Sequence, residues 1–118
     1  MASVLVAALV ASTSLHITVW PEGPHGPKRA WTLRCAPAGG TLPHRASACR
    51  RLAQMSHPFR PVPKDAVCLE IYGGPQTARV TGRLRGRRVD ARFDRHDGCE
   101  IERWQRVRFL FPVATGFP

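Results

Sequence analysis

The chain lacks the residue patterns on which most catalytic and metal-binding sites are built. Its four cysteines form no Cys-x-x-Cys pair and its five histidines are scattered, whereas protein zinc sites usually take their ligands in closely spaced pairs. No Gly-x-Ser-x-Gly, His-Glu-x-x-His or P-loop motif occurs either. These absences argue against an enzyme and against a metal site, and no motif indicates a cofactor.

No apolar run approaches the length of a membrane span. The most apolar stretch, residues 2–11 (ASVLVAALVA), is about half as long as the ~20 residues that a spanning helix needs. Followed by Ser12, it resembles the end of a signal peptide, although no Lys or Arg precedes it, and an N-terminal strand is the alternative. We expect residues 1–12 to be the remnant of a signal peptide, residues 13–118 to form one domain, and the protein to be secreted, without a membrane partner.

Acidic residues and lysines are also scarce. The chain has 16 Arg and only 2 Lys against 8 acidic residues, which leaves a net charge of +10. A chain this basic raises the question of a nucleic acid or another polyanion as its partner. However, the arginines between Arg79 and Arg92 alternate with apolar residues, as on the solvent face of a strand. We therefore expect no nucleic-acid partner, and a polyanion-binding module that uses this arginine-rich hairpin is the alternative.

The sequence does contain the periodicity of a small α+β domain. At 118 residues and 13.1 kDa the chain has room for one modest core. Alternating apolar residues predict five strands, around residues 15–19, 31–35, 78–84, 89–93 and 107–111. Helical spacing predicts one main helix over residues 45–54 and a short helical turn over residues 100–104, and residues 85–87 supply a hairpin turn. Because no long helical crossover joins the strands, we expect a two-layer α+β domain, with one helix covering a roughly five-stranded antiparallel sheet.

The segment at residues 66–75 (AVCLEIYGGP) is the most informative part of the chain. Four cysteines in an exported domain predict two disulfides, with three connectivities open. Cys68 stands two residues before the dipeptide Glu70-Ile71, so a disulfide there can hold an extended loop while one peptide bond points outward. A protease inhibitor needs such a loop, because a substrate-shaped segment that is already ordered loses little freedom on binding.

Four blocks of sequence, in register with one another, resemble the Streptomyces subtilisin inhibitor family. They extend the match from about residue 15 to residue 111, which is nearly the whole chain. The blocks are CAPAGGTLP at residues 35–43 with AC at 48–49, CLEIYGGP at 68–75, the hairpin VTG at 80–82 with GRRV at 86–89, and GCE at 98–100 with RW at 103–104.

The resemblance implies the disulfides Cys35–Cys49 and Cys68–Cys99. It also implies a scissile bond two residues after the third cysteine, between Glu70 at P1 and Ile71 at P1′. The rest of the protease-binding loop then has Val67 at P4, Cys68 at P3, Leu69 at P2 and Tyr72 at P2′. The implied partner is a serine protease, and family members are typically homodimers built by packing of sheet faces away from this loop.

Glu70 is the residue that bears most on the choice of protease. Subtilisin-type S1 pockets accept large apolar side chains, and a carboxylate carries a desolvation cost there unless the pocket supplies a cation. A trypsin-like pocket, built around an acidic residue, should reject Glu70. We expect either a broad subtilisin-type protease that draws mostly on Val67, or a glutamate-preferring serine protease; the third option is that inhibition has been lost.

Overall fold

The computed structural model describes residues 12–112, in which two helices pack on one face of a five-stranded antiparallel sheet. The expected signal-peptide remnant lies outside these residues except for Ser12. No helix in residues 12–112 is long and apolar enough to cross a bilayer. In chain order the elements are β1 (Thr13–Trp20), β2 (Arg29–Cys35), β3 (Gly39–Gly40), α1 (Arg45–Ala53), β4 (Thr77–Leu84), β5 (Arg87–Phe93), α2 (Gly98–Arg106) and a 3₁₀ turn (Arg108–Leu110).

The order of strands across the sheet is β3-β2-β1-β4-β5, and each neighbouring pair is antiparallel. β1, at the centre, has a strictly alternating sequence. It buries Leu15, Ile17 and Val19 on the helix side and leaves Ser14 and His16 exposed on the other. The predicted α+β class and antiparallel sheet are confirmed.

The core lies between the sheet and the helices. α1 contributes Ala48 and Leu52, and α2 contributes Trp104, which is 1% exposed. Phe111 packs against both Trp104 and Phe93, with ring centroids 4.7 and 5.3 Å apart. Burial of this apolar surface is the main stabilising contribution. It also fixes the orientation of α2, whose N-terminus supports the candidate site.

The predicted final strand at residues 107–111 is wrong. α2 extends over nine residues, so the predicted short helical turn is a full helix, and the 3₁₀ turn follows it. Asp97 caps α2, since its carboxylate accepts a hydrogen bond of 2.9 Å from the amide of Glu100. Beyond the helix, the fully buried side chains follow helical rather than alternating spacing: Val107, Leu110 and Phe111. The fifth strand is instead β3, which pairs with Leu33 and Arg34.

The hairpin between β4 and β5 turns at Arg85 and Gly86, inside the predicted turn. Both have positive φ, 50° and 82°, as a two-residue turn between twisted strands requires. The guanidinium of Arg85 donates hydrogen bonds of 3.1 and 2.9 Å to the carbonyls of Leu52 and Met55. The hairpin therefore holds the C-terminal end of α1, which stops at Ala53, one residue earlier than predicted.

Candidate functional site

The segment singled out in the sequence is an exposed apolar loop. It belongs to the connection between α1 and β4 and has neither helix nor strand. Glu70 is exposed, and Cys68 is half-buried. The loop also holds the exposed large apolar side chains of the described residues: Val67 (99%), Leu69 (72%), Ile71 (51%) and Tyr72 (68%). Neighbouring exposed apolar side chains of this kind mark an interaction site.

Two disulfides staple the described chain, and they are the pairings that the resemblance implies. Cys68 is bonded to Cys99, the second residue of α2, with 5.3 Å between the two Cα atoms. Cys35, at the end of β2, is bonded to Cys49 in α1. The first bond ties the loop to the helix beneath it, and the second ties the other helix to the sheet.

Main-chain hydrogen bonds hold the loop just before its exposed dipeptide. The carbonyl of Leu69 accepts a bond of 2.9 Å from the amide of Gly98, the first residue of α2. The same carbonyl accepts a bond of 3.0 Å from the amide of Ile71. Because the second bond spans only two residues, it forms a tight turn with Glu70 at its apex.

A buried arginine holds the loop just after the dipeptide. The amide of Gly73 donates a hydrogen bond of 2.7 Å to the carbonyl of Arg95, and Nε of Arg95 donates one of 3.1 Å back to the carbonyl of Gly73. The guanidinium of Arg95 lies 5.7 Å from the ring centre of Trp104, and burial lowers its pKa. The loop is thus held on both sides of the Glu70–Ile71 peptide.

The loop lies flat against α2 because two glycines allow close approach. A Cβ atom on Gly73 would lie 2.8 Å from Cδ1 of Ile101, closer than carbon atoms pack. A Cβ atom on Gly98 would lie 3.2 Å from Cβ of Leu69. Side chains at these two positions would push the loop away from the helix that orients it.

Tyr72 stacks on His96. The two ring centroids are 6.0 Å apart and the ring planes differ by 12°. Nδ1 of His96 lies 3.7 Å from the carboxylate of Asp94, which follows β5. The ring of Tyr72 is therefore held beside the segment that also supplies Arg95.

A second buried arginine supports the long connection that leads into the loop. Arg103 of α2 is 5% exposed and donates hydrogen bonds of 2.8 and 3.2 Å to the carbonyls of Arg60 and Phe59. Its guanidinium lies 3.9 Å from the ring centre of Phe93, and the carboxylate of Glu100 is 3.5 Å away. Burial lowers the pKa of Arg103 and raises that of Glu100.

The carboxylate of Glu70 has no hydrogen-bond or ion-pair partner within residues 12–112. It is therefore free to enter the pocket of a partner. Near the loop, the ligand-type atoms of Cys68, Asp97 and Cys99 lie within 4.8 Å of one another. Both sulfurs belong to a disulfide, so neither is a thiolate that could bind a metal ion.

Sequence reasoning missed the residues that hold the loop from below. One signal was present for Arg95, because it continues the inward alternation of Ala91 and Phe93 just past the end of β5. Nothing local marks Gly98 as the donor to Leu69. That contact depends on how α2 packs.

A family model described as subtilisin inhibitor-like matches residues 11–95 of the chain. The chain belongs to the subtilisin inhibitor-like family. The matched range includes the whole exposed loop and Arg95, and it ends four residues before Cys99.

Two relatives agree with this membership. Subtilisin inhibitor-like protein 1 of Streptomyces cacaoi is 35% identical over 89 residues, which cover 71% of this chain and 80% of that protein. The fold is similar to that in the crystal structure of Streptomyces caespitosus sermetstatin in complex with Bacillus licheniformis subtilisin. That match has a TM-score of 0.54 and 26% identity, and covers 91% of this chain and 100% of the other. Members of this family are protease inhibitors, and the chain is not an enzyme.

Proposed function

We propose that the protein is a secreted inhibitor of serine proteases. It binds the protease cleft with residues 67–72 and presents Glu70–Ile71 as the reactive bond. The observation that carries the proposal is the pair of attachments on either side of this peptide, from Leu69 to Gly98 and from Gly73 to Arg95. The solved complex of sermetstatin with subtilisin supports the class of target.

Binding uses the main chain and the exposed side chains of the loop together. The backbone on either side of the turn at Glu70 pairs with the edges of the protease cleft, as an added strand would. Val67, Leu69 and Glu70 then enter the S4, S2 and S1 pockets. Because the loop is already ordered, little conformational entropy is lost on binding.

Resistance to cleavage follows from the same attachments. If the Glu70–Ile71 bond is cut, the Cys68–Cys99 disulfide holds the new carboxyl end. The hydrogen bonds between Gly73 and Arg95 hold the new amino end. The two ends stay close, so hydrolysis gains little entropy and the bond can form again.

The P1 carboxylate narrows the choice of protease. Glu70 has no partner among residues 12–112, and its carboxylate must be desolvated in the S1 pocket, a cost that a cation in the pocket offsets. Two targets fit this proposal. One is a glutamate-preferring serine protease, and the other is a subtilisin-type protease of broad specificity whose binding depends mostly on Val67 in its S4 pocket. Trypsin-like proteases do not fit it.

The test is an inhibition panel of subtilisin, trypsin, chymotrypsin and a glutamate-specific serine protease, followed by mass spectrometry of the incubated inhibitor. We expect tight inhibition of subtilisin or of the glutamate-specific protease, none of trypsin, and slow cleavage confined to Glu70–Ile71. Rapid cleavage at several bonds, with no inhibition of any of the four proteases, would contradict the proposal.

Secretion is part of the proposal, and homodimer formation stays a prediction. Two disulfides are typical of proteins that fold in oxidising compartments, which supports an extracellular location. The homodimer rests on the resemblance alone. Light scattering of the purified protein will give a mass near twice 13.1 kDa if it forms.

A further inference from the structure

Neither disulfide joins the two halves of the domain. Cys35–Cys49 closes within the part of the chain that forms β1 to α1, and Cys68–Cys99 closes within the part that forms the loop, β4, β5 and α2. A break in the chain between Cys49 and Cys68 would therefore leave two fragments with no covalent bond between them. Hydrogen bonds and packing, such as the pairing of β1 with β4, would be all that holds them together.

The Glu70–Ile71 bond lies on the other side of Cys68, so a cut there has the opposite consequence. The new carboxyl end stays attached to α2 through the Cys68–Cys99 disulfide. The covalent structure thus protects the protein against cleavage at the proposed reactive bond, but gives no such protection a few residues earlier.

The segment just before the protease-binding loop, residues 61–67, is only lightly attached to the domain. Val62 is half-buried and the other six residues are exposed. Within residues 12–112, this segment makes one main-chain hydrogen bond, of 3.1 Å, from the amide of Ala66 to the carbonyl of Pro63. The bond closes a four-residue turn with Lys64 and Asp65 at its tip. A segment with so few contacts opens locally at low cost, as binding in a protease cleft requires.

The residue at the tip of this turn, Lys64, is of the type that trypsin-like proteases recognise. All 18 Lys and Arg residues of the chain lie within residues 12–112, and 13 of them are in helices, strands or the 3₁₀ turn. Cleavage inside such an element requires its hydrogen bonds to break first. The five others are Lys28, Arg60, Lys64, Arg85 and Arg95.

Two of these five residues are protected by the backbone that follows them. Arg60 precedes Pro61, which has a ring in place of the amide hydrogen and restricts the residue before it, so this bond fits a protease cleft poorly. Lys28 directly precedes β2, whose first residue, Arg29, is paired with Val19 of β1. The bond after Lys28 therefore cannot enter a cleft unless β2 leaves the sheet there.

Two more are protected because their side chains are engaged. The guanidinium of Arg85 donates hydrogen bonds to carbonyls at the end of α1, and Arg95 is buried and bonded to the loop. A basic side chain must be free to enter the S1 pocket of a trypsin-like protease. Lys64 meets this condition, because it is exposed and has no hydrogen-bond or ion-pair partner within residues 12–112.

We propose that Lys64–Asp65 is a cleavage site at which trypsin-like proteases inactivate the inhibitor. Water adds across the peptide bond: the C–N bond breaks, the hydroxyl goes to the new carboxyl group of Lys64, and the hydrogen goes to the new amino group of Asp65. The two products end at residue 64 and begin at residue 65, and each keeps one disulfide. They stay folded only while they stay associated, because both contribute strands to one sheet and side chains to one core.

The proteases that cut here are ones that the loop does not block. An S1 pocket built around an acidic residue does not suit Glu70, so a trypsin-like protease stays active beside the inhibitor. Cleavage confined to Glu70–Ile71 is expected only of a protease whose cleft the loop occupies. The intact chain keeps the two halves at a high effective concentration, and the cut removes that link. The loss of inhibition rests on the proposed function, whereas the cleavage site and the loss of the link do not.

Limited proteolysis by trypsin, followed on denaturing gels and by mass spectrometry, tests the site. A first cut at Lys64–Asp65 should give two separate fragments without reductant, whereas a cut at Glu70–Ile71 gives separate fragments only after reduction. Lys64→Gln should abolish this first cut and Lys64→Arg should keep it. The matched control is Lys28→Gln, which changes the other of the two lysines of the chain and should leave the cut unchanged.

A second arm measures what the cut does to the domain. After trypsin is removed, a tenfold dilution should lower the free energy of unfolding per chain by about 1.4 kcal/mol more in the cut protein than in trypsin-treated Lys64→Gln. This difference is the same whether the uncut protein is a monomer or a dimer. On dilution, the cut protein should also lose its inhibition of subtilisin or of the glutamate-specific protease, and treated Lys64→Gln should keep it.

Three results would overturn the proposal. They are a first cut at another bond, a cut protein that responds to dilution as treated Lys64→Gln does, and full inhibition by the cut protein after dilution. If the uncut protein inhibits none of the proteases, the proposed function is wrong, and the gels and the unfolding measurements still decide whether Lys64–Asp65 is the cleavage site that separates the two halves.

Discussion

Gly73 and Arg95 exchange two hydrogen bonds, one from the amide of Gly73 to the carbonyl of Arg95 and one from Nε of Arg95 to the carbonyl of Gly73. Gly73 lies two residues after Ile71. On the other side, the carbonyl of Leu69, one residue before Glu70, accepts a hydrogen bond from the amide of Gly98, the first residue of α2. The Glu70–Ile71 peptide therefore lies between two fixed points.

Changing the proposed P1 residue should redirect inhibition. Glu70→Lys should create inhibition of trypsin, because a lysine at P1 can pair with the acidic residue in that S1 pocket. Glu70→Leu should tighten binding to subtilisin by roughly 1–3 kcal/mol, the scale on which a pocket distinguishes side chains. Inhibition constants measure both effects.

The matched control for this exchange is Glu102→Lys, which makes the same charge change at an exposed position of α2. It should leave the inhibition of subtilisin unchanged and create none of trypsin. If Glu102→Lys acts like Glu70→Lys, the effect comes from net charge and Glu70 is not the P1 residue.

The two disulfides should differ in their effect on cleavage. Replacing either pair by alanine should lower the free energy of unfolding, by about 4 kcal/mol for Cys68–Cys99 and about 3 kcal/mol for Cys35–Cys49, as their loop lengths suggest. Only loss of Cys68–Cys99 should turn the inhibitor into a rapidly cleaved substrate, because only that bond holds a cleaved end. Cleavage rates by mass spectrometry, at a temperature where both variants are folded, provide the check.

Removing the Arg95 guanidinium should loosen the loop without unfolding the domain. Arg95→Met keeps an apolar stem beside Trp104 but leaves the carbonyl of Gly73 without its donor. We expect inhibition to weaken by about 1–2 kcal/mol, the cost of a lost hydrogen bond to a charged group, and cleavage at Glu70–Ile71 to become faster. The control is Arg106→Met, at an exposed position of α2, which should change neither the inhibition nor the rate of cleavage.

The raised pKa of Glu100 predicts a pH dependence of stability. Burial is the main cause, and the nearby carboxylate of Asp94 adds to it. A carboxyl whose pKa is higher in the folded state binds protons preferentially there, so its contribution to stability falls as the pH rises above its unfolded pKa of about 4.3. Glu100→Gln should therefore gain stability relative to the wild type between pH 4 and pH 7.

Urea unfolding at the two pH values measures this difference. Glu102→Gln is the control, because Glu102 lies on the exposed side of the same helix. A Glu100→Gln variant whose stability relative to the wild type is the same at pH 4 and pH 7 would contradict the raised pKa of Glu100.

Strands and turns are predicted correctly from local sequence where the apolar residues fit only one period. The alternation of Leu15, Ile17 and Val19 lies within β1 as predicted, and the hairpin turns at Arg85–Gly86, where the glycine permits positive φ. Residues 107–111 were predicted wrongly because a short apolar run fits both periods. The capped helix α2 that precedes these residues, and their burial in the core, favour a 3₁₀ turn over a strand.

By itself, the sequence determined the fold class, the central strands, the main helix and the exposed loop, because these depend on spacing between near neighbours. Only the tertiary structure decided what holds the loop, since Gly98 and Arg95 reach it from segments more than 20 residues further along the chain. It also decided that Arg34, Arg83 and Arg88, on three different strands, share one face of the sheet. Strand order and register determine that meeting, and both are set by packing of the whole core rather than by any one segment.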